Sequence, residues 1–284
     1  MNAETGSRIA PSPSRTRSRA RDAATAAGLT AVTESALSLR EVGLSYPDAE
    51  ILRGINIDVR RGEILGIIGP SGCGKSTILN LTAGLLHPTT GDITCFGEPV
   101  RGVNHRVTYM TQKDTLLPWR RGIDNVALPL EVKGVGKRER RDRARAAMAR
   151  VGVSDAANRK PHQLSGGMRA RVSLARALMS DTDILLMDEP FAAVDALRRV
   201  RLQQLLIELW EETKKTILYV THDLNEAITL GHRVIVMSSG LGTVHLEKAI
   251  SAPQPRDVAR FHTTQIAQDL YAELWDDLEG QFQQ

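Results

Sequence analysis

Apolar and polar residues follow two different periods along this chain, and the change of period marks the predicted elements. From residue 37 to residue 59 the two kinds of residue alternate, which predicts a set of antiparallel strands. Short apolar runs rich in branched residues are typical of strands buried on both faces of a sheet. These runs cover residues 64–68, 184–187, 216–220 and 234–237.

Helical spacing of apolar residues separates these predicted strands. Helices are expected at about 75–86, 137–153, 167–179 and 200–210, so the middle of the chain is mostly helical. Near the C-terminus, apolar residues mark one face of a further helix, whose expected role is packing. Those residues are Ile266, Leu270, Tyr271, Leu274 and Leu278. The alternation of strands and helices predicts an α/β fold with a mostly parallel sheet.

Composition is ordinary for a soluble globular protein. Of the 284 residues, 42% are hydrophobic, 25% are charged and 4% are aromatic. The apolar runs are strand-sized and fall short of the about 18 to 20 residues that cross a bilayer, so no membrane-spanning segment is expected. Two cysteines and the lack of an apolar signal sequence give no reason to expect export, and a reducing cytosol is the expected compartment.

The net charge of +4 admits a nucleic acid or an anionic membrane surface as a partner. Much of the positive excess lies in residues 1–36, which are expected to form a disordered basic tail. Such an Arg- and Ser-rich start also resembles an organellar transit peptide, with a solvated tail as the simpler alternative. A second basic stretch, residues 137–145, favours a solvated helix face over contact with lipid headgroups or nucleic acid.

The strongest chemical signal is a glycine-rich loop between a predicted strand and a predicted helix. Residues 69–76 read Gly-Pro-Ser-Gly-Cys-Gly-Lys-Ser and fit the phosphate-loop pattern GxxxxGK[ST]. Glycines let backbone N–H groups converge on phosphate oxygens, and the helix N-terminus favours their negative charge. Lys75 is expected to reach the β- and γ-phosphates of ATP, Ser76 to bind Mg²⁺, and Thr77 to contact phosphate. The remaining loop contacts are expected from Gly69, Ser71, Gly72, Cys73 and Gly74.

Cys73 within this loop admits two interpretations. A helix N-terminus can lower the pKa of a thiol, which would make Cys73 a redox switch. The simpler interpretation is a small residue that fits the loop.

Two carboxylates follow the predicted strand 184–187, at the edge where the ligands of a parallel sheet collect. Asp188 can hold Mg²⁺ directly or through water, and Glu189 can polarise a water for attack on the γ-phosphate. Acidic residues at a strand end are often simply solvated. Their pairing with the phosphate loop favours a catalytic interpretation.

The segment Leu164-Ser165-Gly166-Gly167-Met168 stands between these two motifs and resembles the signature of the ABC ATPases. The order of the motifs also resembles that family. In chain order they are Tyr46, the phosphate loop, Gln112, the signature, Asp188 with Glu189, Asp195 and His222. The resemblance covers residues 37–250. It implies a phosphate-loop NTPase core, an antiparallel β subdomain and a helical subdomain at about 113–180. Residues 251–284 lie beyond the resemblance and are expected, from the apolar face described above, to form a C-terminal helical extension.

The resemblance also implies roles for single residues. Tyr46 is similar to the aromatic residue that stacks on adenine, and His222 to a switch histidine at the γ-phosphate. Gln112 is similar to the residue that links the γ-phosphate and Mg²⁺ to the transporter interface. The implied catalytic residues are Glu189, His222, Lys75 and Gln112, and the implied metal ligands are Ser76, Gln112 and Asp188.

A head-to-tail dimer follows from the same resemblance. Each ATP would lie between one phosphate loop and the signature residues Ser165, Gly166 and Gly167 of a second copy. Asp195 resembles the loop that crosses this interface. ATP would close the dimer, and hydrolysis would release it.

Residues 116–120, Leu-Leu-Pro-Trp-Arg, resemble importers of the nitrate, sulfonate and taurine group, as do residues 255–257, Pro-Arg-Asp. This resemblance implies a motor subunit on the cytoplasmic face of the inner (plasma) membrane. Its partners would be membrane permease subunits and, indirectly, a periplasmic or extracellular binding protein. The segment from Leu116 to Arg120 is expected to dock the permease, with Arg120 paired to an acid of that partner. The alternative is that the segment packs inside the helical subdomain.

Two other functions fit the sequence less well. A soluble ABC ATPase acting on nucleic acid would carry coiled-coil insertions or tandem ATPase units, and neither is visible in the sequence. A non-catalytic nucleotide-gated module is disfavoured by Lys75, Glu189 and His222. The transported solute leaves no trace in this chain, so nitrate, sulfonates, taurine and pyrimidine precursors stay open.

Overall fold

Two β-sheets and a group of helices form the part of the chain that this computed structural model describes, residue 1 and residues 34–282. The strands are β1 (Ser35–Tyr46), β2 (Ala49–Arg60), β3 (Ile64–Ile68), β4 (Thr90–Cys95), β5 (Glu98–Pro99), β6 (Val107–Met110), β7 (Ile184–Asp188), β8 (Thr216–Val220), β9 (Arg233–Met237) and β10 (Val244–Ala249). The helices are α1 (Lys75–Thr82), α2 (Gly122–Val126), α3 (Leu128–Val132), α4 (Lys137–Arg150), α5 (Gly166–Leu178), α6 (Ala196–Thr213), α7 (Leu224–Leu230) and α8 (Gln265–Phe282). Across the described ranges, no helix combines the length and the apolar character needed to cross a bilayer.

The larger sheet has the strand order β10-β9-β3-β8-β7-β6. Its strands are parallel except for the antiparallel pair β9 and β10. Every residue of β3, β7, β8 and β9 is buried, as their apolar runs require. The predicted mixed, mostly parallel sheet is therefore confirmed. Because β3, β8, β7 and β6 are adjacent and parallel, the loops that follow them meet at one edge of the sheet.

The smaller sheet is antiparallel, with the order β2-β1-β4-β5, and confirms the predicted β subdomain. Its apolar side chains share a core with β3 and α1. Strand β1 begins at Ser35, two residues before the predicted start of the domain at residue 37, because Ser35 Oγ donates to Asp58 at 2.7 Å and Ala36 is fully buried. Residues 2–33 of the predicted tail lie outside the described residues.

Between β6 and β7 the described chain is helical, from α2 to α5. These helices share a core with β7, built around residues such as Val126, Met148 and Val172. Helix α1 is shorter than predicted and ends at Thr82. Gly84 has φ of 68°, and a Cβ there would lie 1.7 Å from the carbonyl oxygen of Gly102, so the chain must turn at this point.

The C-terminal residues pack against the larger sheet. Leu270, Leu274 and Leu278 of α8 are buried in one core with α7 and β9, as the apolar face predicts. Ile266, which was expected on the same face, is half exposed because it lies in the first turn of the helix. The packing brings the segment before α8 against α7.

Candidate functional site

The phosphate loop joins β3 to α1 and is closely packed on its β2 side. Gly74 has φ of 95°, and a Cβ there would lie 2.5 Å from Leu52 Cδ2, so only glycine fits. Lys75 is buried, and its Nζ donates to the carbonyl oxygens of Gly69 at 2.8 Å and Pro70 at 2.6 Å. The loop therefore encloses an ammonium group at a helix N-terminus, an arrangement that favours phosphate.

Cys73 lies within this loop, and its side chain is buried. Burial raises the pKa of its thiol, although the charge of Lys75 acts in the opposite direction. The prediction of a lowered thiol pKa, on which the redox switch depends, is therefore wrong. Desolvation of the thiol outweighs the nearby positive charge.

Asp188 ends β7 beside the first turn of α1. Burial raises the pKa of its carboxyl, while hydrogen bonds from Ser76 and Tyr109 and the charge of Lys75 oppose that rise. Tyr109 Oη lies 3.5 Å from Asp188 Oδ2. The Ser76 hydroxyl and the Asp188 carboxylate lie side by side, and both are hard oxygen ligands. This pair therefore suits Mg²⁺.

Glu189 follows directly and turns its side chain into the space between two loops. Its φ of 47° is left-handed, and its N–H donates to the carbonyl oxygen of Val220 at 2.9 Å. Its Oε2 lies 3.2 Å from Gln112 Nε2 and 3.4 Å from His222 Nδ1. A non-glycine residue at such a φ is strained, and strain of this kind is concentrated at functional sites. Two predicted catalytic residues, Gln112 and His222, thus converge on one carboxylate oxygen of a third, Glu189.

The signature segment lies at the start of α5. Ser165 caps this helix, since its Oγ accepts from the N–H of Met168 at 3.2 Å. Ser165 and Gly166 are exposed. Gly166 also lines a cavity of about 270 Å³ together with Gln112 and Glu189. The signature is therefore open to solvent and adjoins the Gln112 loop of its own chain.

Tyr46 is not part of this acidic cluster. It lies at the turn between β1 and β2, where it pairs with Ala49, and 52% of its surface is exposed. Strand β2 continues from this turn to Leu52, which contacts Gly74 of the phosphate loop. The turn that carries Tyr46 is thus linked to the phosphate loop through β2.

The predicted docking segment, residues 116–120, forms a turn fixed by Asn125. This fully buried amide accepts from the N–H of Leu117 at 2.7 Å and donates to the carbonyl oxygens of Leu117 and Arg120 at 3.2 and 3.3 Å. Trp119 at the tip is 68% exposed. Arg120, however, is paired with Glu131 of its own chain at 2.6 Å, so the expected ion pair with a partner is corrected. The acid lies on α3, which packs beside the turn.

Several contacts of the site escaped sequence reasoning. One of them is the contact of Tyr109 with Asp188. The sequence does carry a sign of it, because Tyr109 stands in a short apolar strand just before Gln112. Asp114 pairs with Arg169 of α5 at 2.8 Å and joins the Gln112 loop to the signature helix. Arg199 of α6 lies 3.6 Å from Asp223, next to His222. The last two pairs join distant segments, and the local pattern carries no sign of them.

Comparisons with known proteins agree with this arrangement. The family model described as ABC transporter matches residues 52–192. The chain is 41% identical over 216 residues to a taurine import ATP-binding protein of Chromobacterium violaceum, covering 76% of this chain and 82% of that protein. It is 43% identical over 222 residues to an aliphatic sulfonates import ATP-binding protein of Agrobacterium fabrum, covering 78% and 77% of the two chains.

Solved structures give the same result. A dimeric ATP-binding cassette in a post-hydrolysis state, bound to ADP and Pi, aligns with a TM-score of 0.70 and 33% identity. The alignment covers 76% of this chain and 100% of that one. Identity at this level over most of each relative's length shows membership of the same family and not only a shared fold. This chain belongs to the ABC transporter family, as an ATP-binding protein, and it is an ATPase.

Proposed function

We propose that this chain is the ATP-hydrolysing subunit of an ABC importer for nitrate, sulfonate, taurine or a similar small solute. The observation that carries the proposal is the convergence of Gln112 and His222 on Glu189 Oε2, at 3.2 and 3.4 Å. This oxygen lies at the sheet edge that also holds Lys75 and Asp188. The solute class is supported by the taurine and sulfonate import proteins among the relatives.

ATP would be held by the phosphate loop. Lys75 and the backbone N–H groups of Gly69, Ser71, Gly72, Cys73 and Gly74 would bind its phosphates, with Ser76 and Thr77 at the start of α1. Tyr46 would stack on adenine from the turn that β2 links to this loop. The buried ammonium and the helix N-terminus both favour the negative charge of the phosphates.

Mg²⁺ would be held by Ser76, Asp188 and Gln112, and when bound it would neutralise charge on the phosphates. In the described ranges, no three His, Cys, Asp or Glu residues gather into a metal site. That finding fits an ion that takes several of its oxygen ligands from phosphate and water. The Ser76 hydroxyl and the Asp188 carboxylate, already hydrogen-bonded, are the oxygen donors that suit it.

Glu189 would act on the attacking water. Its carboxylate is one-fifth exposed, so a water can reach it, and it can orient that water and accept its proton. Gln112 and His222 hold the carboxylate from opposite loops, which follow β6 and β8. Correct orientation of a reacting water accounts for much of the rate in phosphoryl transfer.

A second copy of the chain would complete the site. Ser165 and Gly166 are exposed at the helix start and adjoin Gln112 of their own chain, so the signature can face another molecule while remaining linked to its own nucleotide site. A homodimer is also supported by the dimeric cassette among the similar structures. Gly167 would join Ser165 and Gly166 in this contact, and Asp195 would lie at the interface.

The membrane permease would dock on the turn of residues 116–120. Trp119 is exposed on a turn that Asn125 holds rigid, and an exposed aromatic on a rigid support is typical of a binding hot spot. A permease partner places the subunit on the cytoplasmic face of the inner (plasma) membrane, with a periplasmic or extracellular binding protein as an indirect partner. The nucleic-acid alternative is disfavoured because the basic residues of α4 are largely ion-paired. These pairs are Arg140 with Glu131, Arg141 with Asp124, Arg143 with Glu139, and Arg145 with Asp142.

Reconstitution tests the transport function directly. The chain is co-expressed with a permease of the taurine, sulfonate and nitrate importer group, placed in proteoliposomes, and assayed with binding protein loaded with taurine, a sulfonate or nitrate. The proposal expects ATPase activity to rise with one loaded binding protein and the solute to accumulate inside. A chain that does not associate with the permease, or whose hydrolysis responds to nucleic acid instead, contradicts it.

A further inference from the structure

The segment that precedes α8 holds the carboxyl end of α7. Arg256 is 4% exposed, and its Nη1 donates to the carbonyl oxygens of Ile228 at 2.7 Å, Thr229 at 3.1 Å and Gly231 at 2.7 Å. Its Nη2 donates to the carbonyl oxygen of Ala252 at 2.6 Å. One guanidinium therefore joins the last turn of α7 to the segment that follows β10.

Gln254 completes this cap. Its Nε2 donates to the carbonyl oxygen of Leu230 at 2.8 Å, and its Oε1 accepts from the N–H of Arg256 at 3.1 Å. The last carbonyl groups of a helix have no partners within the helix, and positive charge is favourable at that end. Gln254 and Arg256 supply both the donors and the charge.

Helix α7 is fixed at its amino end as well. Asp223 caps it by accepting from the N–H of Glu226 at 3.2 Å, and it lies 3.6 Å from Arg199 of α6. Glu226 Oε2 accepts from Gln203 Nε2, also of α6, at 3.3 Å. His222 directly precedes the capping residue. The position of His222 therefore depends on a short helix that is clamped at both ends.

The contacts of Arg256 and Gln254 with the carboxyl end of α7, here called the clamp, depend on the shape of the arginine side chain. The guanidinium is planar and directs its two Nη groups to different acceptors, three carbonyl groups of the α7 turn and one of the Ala252 segment. A lysine ammonium carries the charge but is a single point. Burial lowers the pKa of Arg256 to about 10, so the group stays protonated at neutral pH and its charge-assisted bonds persist.

We propose that Arg256 and Gln254 are positioning residues for His222, which they hold against Glu189 by fixing the carboxyl end of α7. The inference rests on the proposed role of His222 and Glu189 in hydrolysis. Without the clamp, α7 can shift or rotate, and His222 Nδ1 leaves its place 3.4 Å from Glu189 Oε2. A misplacement of about 1 Å at a reacting centre can cost about 100-fold in rate, so a small shift is sufficient.

The experiment uses the full chain and the variants Arg256→Ala, Arg256→Lys and Gln254→Ala. Two controls separate positioning from loss of stability. Arg260→Ala removes an exposed arginine of the same segment, whose Nε lies 3.8 Å from Asp257 Oδ2. Leu39→Ala opens the core of the small sheet, away from α7, and lowers the melting temperature.

The expected result is a split between kcat and KM. Arg256→Ala lowers kcat about tenfold or more while KM for ATP changes less than about twofold, since ATP binding does not use α7. Arg256→Lys recovers part of kcat, Gln254→Ala loses less than Arg256→Ala, and Arg260→Ala matches the parent chain. Amide hydrogen exchange rises in residues 222–231 of Arg256→Ala and stays at the parent level in the phosphate loop.

Two results overturn the inference. The first is an Arg256→Ala variant that folds and keeps both the parental kcat and the parental hydrogen exchange in α7. If Arg256→Ala does not fold, the same result in Arg256→Lys and Gln254→Ala counts instead. The other is a Leu39→Ala that loses as much kcat at the same loss of melting temperature. A parent chain without ATPase activity, or full activity in Glu189→Gln, contradicts the proposed function instead. The exchange measurement still decides the clamp in that case.

Discussion

The Asp114 carboxylate and the Arg169 guanidinium form an ion pair with a 2.8 Å contact between Oδ2 and Nε. Asp114 lies two residues after Gln112, and Arg169 also donates to the carbonyl oxygen of Leu164, next to Ser165. The pair therefore connects the loop at a chain's own nucleotide to the signature that would serve the nucleotide of a second copy. It is a direct structural link between the two proposed halves of the site.

Removal of this pair is expected to weaken hydrolysis more than folding. Both side chains are about one-third exposed, so the coupling energy for stability should be no more than about 1 kcal/mol. A double-mutant cycle with Asp114→Asn and Arg169→Gln, measured on both kcat and unfolding, tests this expectation. If the variants lose stability without a change in kcat or in its dependence on ATP concentration, the pair does not link the sites.

The exposed Trp119 is expected to act in permease binding and not in hydrolysis. Trp119→Ala should leave the ATPase activity of the isolated chain unchanged and reduce its co-purification with the permease, because truncation of an aromatic hot spot costs about 2 kcal/mol or more. Val132→Ala is the matched control, because Val132 is also an exposed apolar residue but lies on α3 and not on the turn. Equal loss of association in both variants, or none in either, would exclude the turn as the docking site.

Much of the fold could be predicted because its strongest signals are local. The runs at 64–68 and 216–220 coincide with β3 and β8, since strands buried on both faces must be apolar throughout. Strands β4 and β6 were missed because they are short and partly exposed, so their residues show no sustained period. Strand β10 was missed because Glu247 and Lys248 are both polar, although its residues alternate between half-buried and exposed.

The site was predicted unevenly for the same physical reason. Motif residues such as Lys75 and Glu189 stand in fixed local patterns, whereas their supports depend on tertiary contacts. Arg120 was expected to pair with a partner, and its acid proved to be Glu131 on a neighbouring helix. The partners of Arg256 are backbone carbonyl groups, which every residue carries, so no residue type in the sequence indicates them.

Glu226 is expected to make stability depend on pH. Burial, with the charge of Asp223, raises the pKa of its carboxyl from 4.5 to about 8. The folded pKa lies above the unfolded one, so the stabilising contribution is complete below pH 4.5 and is lost as pH rises through about 8.

Glu226→Gln removes this titration. Relative to the parent chain, the variant should gain up to about 1.4 kcal/mol of unfolding free energy per pH unit as pH rises toward 8, and the gain should level off above it. Urea unfolding at pH 5, 6, 7, 8 and 9 measures the difference. A difference that does not change with pH would show that the carboxyl is charged in the folded chain.

Cys73 is expected to react slowly with iodoacetamide in the native chain. Burial raises the pKa of its thiol, so little thiolate is present at neutral pH. Mass spectrometry of both cysteines, before and after unfolding in urea, gives the rate and its internal control. Labelling of native Cys73 as fast as that of unfolded chain would restore the redox interpretation.

The central claim is that Glu189 activates the water that attacks ATP, and Glu189→Gln tests it most directly. The variant keeps the size and shape of the side chain and one acceptor oxygen but cannot accept the proton, so turnover should fall by about 100-fold or more. ATP binding should persist, because Lys75 and the phosphate loop are unchanged. Glu208→Gln, at an exposed glutamate of α6, is the control and should match the parent chain. Retained ATP binding with turnover near zero is the result this account predicts, and undiminished hydrolysis in Glu189→Gln would contradict it.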